Sequence, residues 1–182
     1  MKIANFILHY PEFDYSLFKD TGFDLNKRFL RYIFARVEKL IADNINMQMK
    51  YSIEDLVTKT GAKTGFHIEH ILSHHDENLQ YFEDDDEFES YRNRLGALLL
   101  LRGRDNISSN NEIYKDKLKT YANTLYWNET LREDFYKSKL DIRDFKNRYN
   151  LDLKPYNIFD KNSVEDRHRL LFDILKIIWN QE

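Results

Sequence analysis

Apolar residues recur along this chain mostly at helical spacing. Between Leu25 and Ala42, residues Phe29, Leu30, Ile33, Phe34, Val37, Leu40 and Ile41 share one face of a 3.6-residue period, with Arg28, Arg31, Arg36 and Lys39 on the other. Ser52 before Ile53-Glu54-Asp55 is an N-cap signal for a short helix. The run Thr60-Gly61-Ala62-Lys63-Thr64-Gly65 breaks the pattern and predicts a loop. Phe66-His67-Ile68-Glu69-His70-Ile71-Leu72 alternates apolar and polar at its start, which predicts a short strand. Leu95 to Leu101 predicts a second strand or a buried segment. Helices are predicted over Ile113–Leu125 and Leu131–Tyr149. Ser163-Val164-Glu165-Asp166 has capping-box spacing and opens a last amphipathic helix through Leu170, Leu171, Ile174, Leu175, Ile178 and Trp179.

A length of 182 residues with 42% hydrophobic and 15% aromatic content supports one domain with a real core and excludes a disordered chain. No repeat or linker divides it. Residues 1–182 are therefore read as a single domain, with a helical lead-in over 1–60, a core over 66–120 and a helical C-terminal part over 121–182. The lack of cysteine excludes disulfides and thiolate zinc sites and suits a reducing cytoplasm. No apolar run approaches the roughly 20 residues of a membrane span, and the start lacks the basic-then-apolar order of a signal peptide. A cytoplasmic location is the expectation. The formal charge of −3 argues against a uniformly basic coat. Locally, however, seven basic residues (Arg92, Arg94, Arg102, Arg104, Lys115, Lys117 and Lys119) stand against three acidic ones between Arg92 and Lys119. The preceding carboxylate block, Glu83 to Glu87, is expected in a solvated loop.

Chemistry concentrates in residues 66–75, FHIEHILSHH, which hold four of the six histidines. Histidine accepts a proton or binds a metal near neutral pH. The predicted order of strand, acidic loop, strand-like run, polar loop and helix can hold one metal ion between a strand end and a helix start. Glu69 offers the carboxylate that a hard cation needs, and His70 a neutral imidazole to deprotonate water. Asn106, Asn110 and Asn111, just ahead of a predicted helix, offer an amide oxygen. A regular strand points Glu69 and His70 to opposite faces, so both serve one site only if the strand ends or bulges there.

Three ordered blocks carry a resemblance to a known family. The first is Glu69-His70-Ile71-Leu72, an acidic residue, histidine and aliphatic pair, with Ser73 in the place of a family proline. The second is Arg94-Leu95-Gly96-Ala97 before the leucines 98–101. There Ala97 stands where HNH motifs commonly place an asparagine that braces the loop against the catalytic histidine. The third is Asn106, Asn111, Tyr114 and Lys117. Together they resemble the HNH (ββα-metal) nuclease fold, most closely the DUF1524 family, the C-terminal domain of GmrSD-type modification-dependent restriction enzymes. Arg36-Val37-Glu38, Arg167 and Trp179 are similar to family positions on the flanks.

The resemblance implies a mainly helical α+β fold with a ββα-metal finger embedded in a helical domain. It implies an HNH-type, metal-dependent DNA endonuclease that hydrolyses phosphodiester bonds in bacterial restriction or phage defence. His70 is the implied general base, Glu69 and Asn106 the implied metal ligands, and His67 and Asn111 further ligands or supports of those ligands. Arg94 and Lys117 are implied to contact phosphate. The implied cofactor is Mg²⁺ or Mn²⁺, with Zn²⁺ behind them. The implied partners are DNA and an N-terminal DUF262-like nucleotide-sensing domain or subunit. The chain is accordingly expected to be a fragment or a standalone module. Ser73 and Ala97 motivate one alternative, a weakened module that binds DNA or a partner domain without cutting. Another is a structural zinc site from His67, His70, His74 and His75. Arg36, Arg167 and Trp179 are expected to join helices, and His74 and His75 to lie in a loop. His9 and His168 carry no supporting context.

Overall fold

Among the described residues the first helices are α1 (Tyr15–Phe18) and the long α2 (Lys27–Asn44). The computed structural model describes residues 14–109 and 111–180, so His9 and Asn110 lie outside the described residues. Asn26 caps α2 by accepting from the backbone N–H groups of Arg28 and Phe29. Leu30, Ile33, Phe34, Val37, Leu40 and Ile41 of α2 are buried, as their spacing predicts. Ser52 caps α3 (Ile53–Thr58), its hydroxyl accepting from Asp55 N at 3.0 Å. A loop then feeds β1 (Phe66–His70).

After β1 come α4 (Asp76–Leu79), α5 (Asp85–Arg92), a 3-10 turn (Leu95–Ala97) and β2 (Leu98–Arg102). The two strands pair antiparallel, with Phe66 opposite Arg102 and His70 opposite Leu98. The second strand is thus shorter than the apolar run, because Leu95 to Ala97 turn before pairing begins. α6 (Gly103–Ser109) follows β2 directly, which gives a hairpin and helix with α4 and α5 inserted between the strands. The remainder is helical: α7 (Tyr114–Thr120), α8 (Tyr126–Glu129), α9 (Glu133–Ser138), α10 (Asp141–Tyr149) and α11 (Lys161–Asn180). Among the described residues the fold is mainly helical with one two-stranded sheet. Among the described residues no helix is long and apolar enough to cross a membrane.

Several elements differ from the sequence expectation. The acidic block is the start of α5: Asp84 accepts from Glu87 N at 2.8 Å, and Asp85, Asp86 and Glu87 occupy the first turn. Carboxylates there meet the positive end of the helix dipole. The helix expected over Ile113–Leu125 stops at Thr120, before Asn123 with its positive φ of 56°. The helix expected over Leu131–Tyr149 is broken at Lys139 and Leu140, where Leu140 is 70% exposed. α11 begins at Lys161, two residues before the expected cap. Asp160 accepts from Ser163 N at 2.8 Å, while the Ser163 hydroxyl donates to Ile158 O at 2.9 Å.

α2 packs against α3, α8, α11 and the hairpin, and α11 packs on the Leu95–Ala97 turn. Gly96 permits that approach, since a Cβ there would lie 2.5 Å from His168 N and 2.6 Å from Val164 O. His168 is fully buried at this crossing, taking a hydrogen bond from Gly96 N at 3.1 Å and lying 3.2 Å from Phe18 O. Arg167 is fully buried too, stacked 3.7 Å from the Trp127 ring centroid and donating to Thr130 Oγ1 and Trp127 O. Arg36 donates to Tyr32 Oη at 2.8 Å and lies 6.0 Å from the Trp179 ring. These arginines and Trp179 join helices, as expected.

Candidate active site

β1 keeps an unbroken register to His70, and Ile71 N extends the pairing by donating to Ala97 O at 2.9 Å. Strand alternation therefore sends Glu69 and His70 to opposite faces. On one face Glu69 is 5% exposed, and its Oε1 accepts from Lys117 Nζ at 2.5 Å. Lys117, carried by α7, also donates to His70 O at 2.7 Å and is 1% exposed. Burial pushes the Glu69 carboxyl up and the Lys117 ammonium down, while each opposes the other's shift through their ion pair.

On the other face the His70 ring lies 4.5 Å from the Phe23 ring, and its Nε2 is 3.0 Å from Asn93 Oδ1. Gly22 brings Phe23 there, pairing with Arg94 in an isolated bridge. A Cβ at Gly22 would lie 2.1 Å from Asn93 O, so any side chain would push the two segments apart. Asn93 Nδ2 donates to Glu89 O at 2.8 Å and to Glu89 Oε2 at 3.1 Å. Glu89 Oε1 in turn pairs with His74 Nε2. Burial pushes the His70 imidazole down to about 4; nearby Arg92 acts in the same direction, and the Asn93 hydrogen bond opposes it. The ring is therefore neutral near pH 7, the form that accepts a proton. Its contacts Phe23 and Asn93 also line a cavity of about 550 Å³, together with Arg94 and the acidic residues Asp20, Asp24, Asp86 and Glu89; His70 itself is not among the lining residues.

The remaining candidates divide between these faces and the surface. His67 shares the Glu69 side of the strand, its Nε2 lying 3.3 Å from Gly61 O. Asn106 is half-buried in α6 and Asn111 is exposed beyond it; among the described residues neither is hydrogen-bonded to Glu69 or His70. Arg94, expected on phosphate, pairs with Glu165 of α11 and lies 4.3 Å from the Tyr91 ring centroid. Lys117, also expected on phosphate, is buried in its ion pair as described. The basic stretch does not form one open face. Arg92 donates to Leu72 O at 2.9 Å, Arg102 to Tyr51 Oη at 3.3 Å, and Lys119 pairs with Asp116 at 2.6 Å.

One of the two departures from the family pattern has a local substitute. Ser73 is buried, donates to Glu112 O at 2.7 Å and accepts from Asn78 Nδ2 at 3.0 Å, which ties down the turn after His70. Ala97 offers only its backbone carbonyl, to Ile71 N, and no side-chain brace. The four clustered histidines do not converge. His67 faces Gly61, His70 faces Asn93, His74 faces Glu89, and His75 caps α4 by accepting from Glu77 N at 3.2 Å. Among the described residues no three His, Cys, Asp or Glu side chains are grouped to hold a metal. Sequence reasoning missed Phe23, Glu89 and Asn93. Asn93, polar and adjacent to the Arg94 block, carried the only local signal; Phe23 is too distant in sequence to have carried one.

A family model described as the C-terminal domain of GmrSD restriction endonucleases matches residues 14–174. The chain belongs to this family. It is thus a domain of a restriction-endonuclease, or nuclease, type. Comparison with curated proteins and with solved structures gave no match.

Proposed function

We propose that this GmrSD C-terminal domain hydrolyses DNA phosphodiester bonds, with His70 as general base, in cytoplasmic restriction of foreign or modified DNA. The observation that carries the reading is the His70 imidazole itself, neutral and held by Asn93, a residue that also lines the cavity. A water oriented by that ring loses its proton to it as the oxygen attacks phosphorus and the P–O3′ bond breaks, the 3′ oxygen leaving and taking a proton from solvent. Burial makes the resting imidazole a weak base, and the negative phosphates of bound DNA would favour its protonated form. Four acidic residues lining that cavity disfavour a bare phosphate backbone, which makes a counter-cation part of the proposal.

Glu69 and Asn106 would hold a divalent ion. One carboxylate and one amide oxygen suit Mg²⁺ or Mn²⁺, which keep several waters, better than Zn²⁺. The Lys117 ammonium on Glu69 Oε1 now stands in the place of such an ion, and the unbroken strand turns Glu69 away from His70, so an ion on Glu69 would have to displace Lys117. When bound, such an ion supplies Lewis-acid polarisation of the scissile phosphate. Target choice is assigned to a nucleotide-sensing (DUF262-like) partner domain or subunit.

A second reading, a module that binds DNA or a partner without cutting, is favoured by the same ion pair: Lys117 already neutralises Glu69. The test is incubation of supercoiled plasmid with the domain and Mg²⁺ or Mn²⁺, beside His70→Ala. Nicking by the wild type alone supports the nuclease. DNA binding without nicking selects the second reading.

A further inference from the structure

Asn93 is held so that only one orientation of its amide fits. Its Nδ2 donates to Glu89 O at 2.8 Å and to Glu89 Oε2 at 3.1 Å, a carbonyl and a carboxylate that can only accept. The amide oxygen therefore faces His70 Nε2, at 3.0 Å. An amide oxygen has no proton to give, so the proton between them belongs to Nε2. The backbone fixes Asn93 as well: its N–H donates to Glu89 O at 3.1 Å, and its carbonyl accepts from Phe23 N at 2.8 Å. Phe23 then covers the imidazole, with ring centroids 4.5 Å apart.

We propose that Asn93, backed by Glu89, is the positioning residue that sets His70 as its Nε2–H tautomer and leaves Nδ1 as the lone pair that takes the proton. The proposal deepens the reading of His70 as base and rests on it. It also accounts for the departure at Ala97, because the support that this position lacks comes from a residue four positions earlier and acts on the imidazole directly. A neutral imidazole without a fixed partner populates both tautomers, and only one presents a lone pair at Nδ1.

The experiment joins long-range ¹⁵N–¹H NMR of the histidine rings at pH 7.5 to plasmid nicking with Mn²⁺. It compares wild type, Asn93→Leu, and the pair Asn93→Asp with Glu89→Gln. In wild type His70 carries its proton on Nε2. Asn93→Leu mixes the tautomers and slows nicking about 10- to 100-fold, the scale of a misplaced catalytic group, with DNA affinity unchanged. The pair restores the tautomer and part of the rate, because the introduced carboxylate still accepts from Nε2 and the introduced amide donates to it, while the backbone carbonyl of residue 89 loses its side-chain donor. Thermal melting of each variant separates unfolding from loss of positioning. A wild-type His70 protonated on Nδ1 overturns the proposal, as does an Asn93→Leu variant that keeps tautomer and rate, or a folded pair that restores neither. If the wild type does not nick, the reading of His70 as base fails, and the NMR comparison alone decides whether Asn93 sets the tautomer.

Discussion

Replacing Lys117 by methionine isolates the charge on Glu69. The two side chains are 1% and 6% exposed and meet at 2.5 Å, so the substitution leaves a buried carboxylate without its paired cation, with Arg92 as the remaining nearby charge. Removing one partner of a buried pair costs about 3–5 kcal/mol, far above the 0–1 kcal/mol typical of surface pairs. For a domain of this size each kcal/mol lowers the melting temperature by about 2–4 °C, so a drop of roughly 6–20 °C is expected. Glu69→Leu with Lys117→Met removes the uncompensated charge and restores most of that loss. If Glu69 also accepts a divalent ion, Mn²⁺ stabilises Lys117→Met more than it stabilises wild type. The gain is about 2.7 kcal/mol when free ion exceeds its dissociation constant a hundredfold. Urea unfolding of the four proteins (wild type, both singles and the pair), with and without Mn²⁺, measures every term. A Lys117→Met variant within 1 kcal/mol of wild type would refute the reasoning about the buried pair. Equal Mn²⁺ gains in wild type and Lys117→Met would refute the competition between ammonium and ion.

The fully buried His168, pushed down to about 4 by desolvation, binds its proton at lower pH in the native state than in the unfolded chain. Stability from this group is complete above about pH 6.5 and is lost as pH falls toward 4, by up to roughly 3 kcal/mol. Glu38, pushed up to about 7 by burial, works in the opposite direction over much of that range. The test is therefore the difference between wild type and His168→Gln in urea midpoints at pH 7 and 4.5: the variant should lose less on acidification, and an equal loss contradicts the assignment. Gly96→Ala places a Cβ 2.5–2.7 Å from backbone atoms of α11, so the turn or the helix must move. About 1–3 kcal/mol of destabilisation is expected by thermal melting, and an unchanged melting temperature contradicts this packing.

Legibility in the sequence followed from how local the determinants were. The α2 stripe was readable because Leu30, Ile33, Phe34, Val37 and Ile41 all face one core. Phe66 to His70 was readable from its alternation and the breaker before it. The break at Lys139 and Leu140 was not readable, since neither residue is a breaker and apolar spacing resumes beyond it. The acidic block misled because charge alone suggests solvent, whereas an N-terminal helical turn favours the same residues. At the site, adjacency made Glu69 and His70 visible, yet strand alternation separates their side chains. The partners that occupy them, Lys117 and Asn93, lie 48 and 23 positions away in sequence. Of the seven basic residues between Arg92 and Lys119 that suggested a basic face, three make internal contacts: Arg92 with Leu72, Arg102 with Tyr51, and Arg94 with Glu165.

The central claim is that His70 is the base of a phosphodiester-cleaving site. The most direct measurement is the nicking rate of supercoiled plasmid by purified domain with Mn²⁺, compared between wild type and His70→Ala at matched DNA binding and matched melting temperature. The account predicts cleavage by wild type and a loss of about 10²- to 10⁴-fold on removing the general base. Equal rates in the two proteins, or binding without cleavage by the wild type, would contradict it.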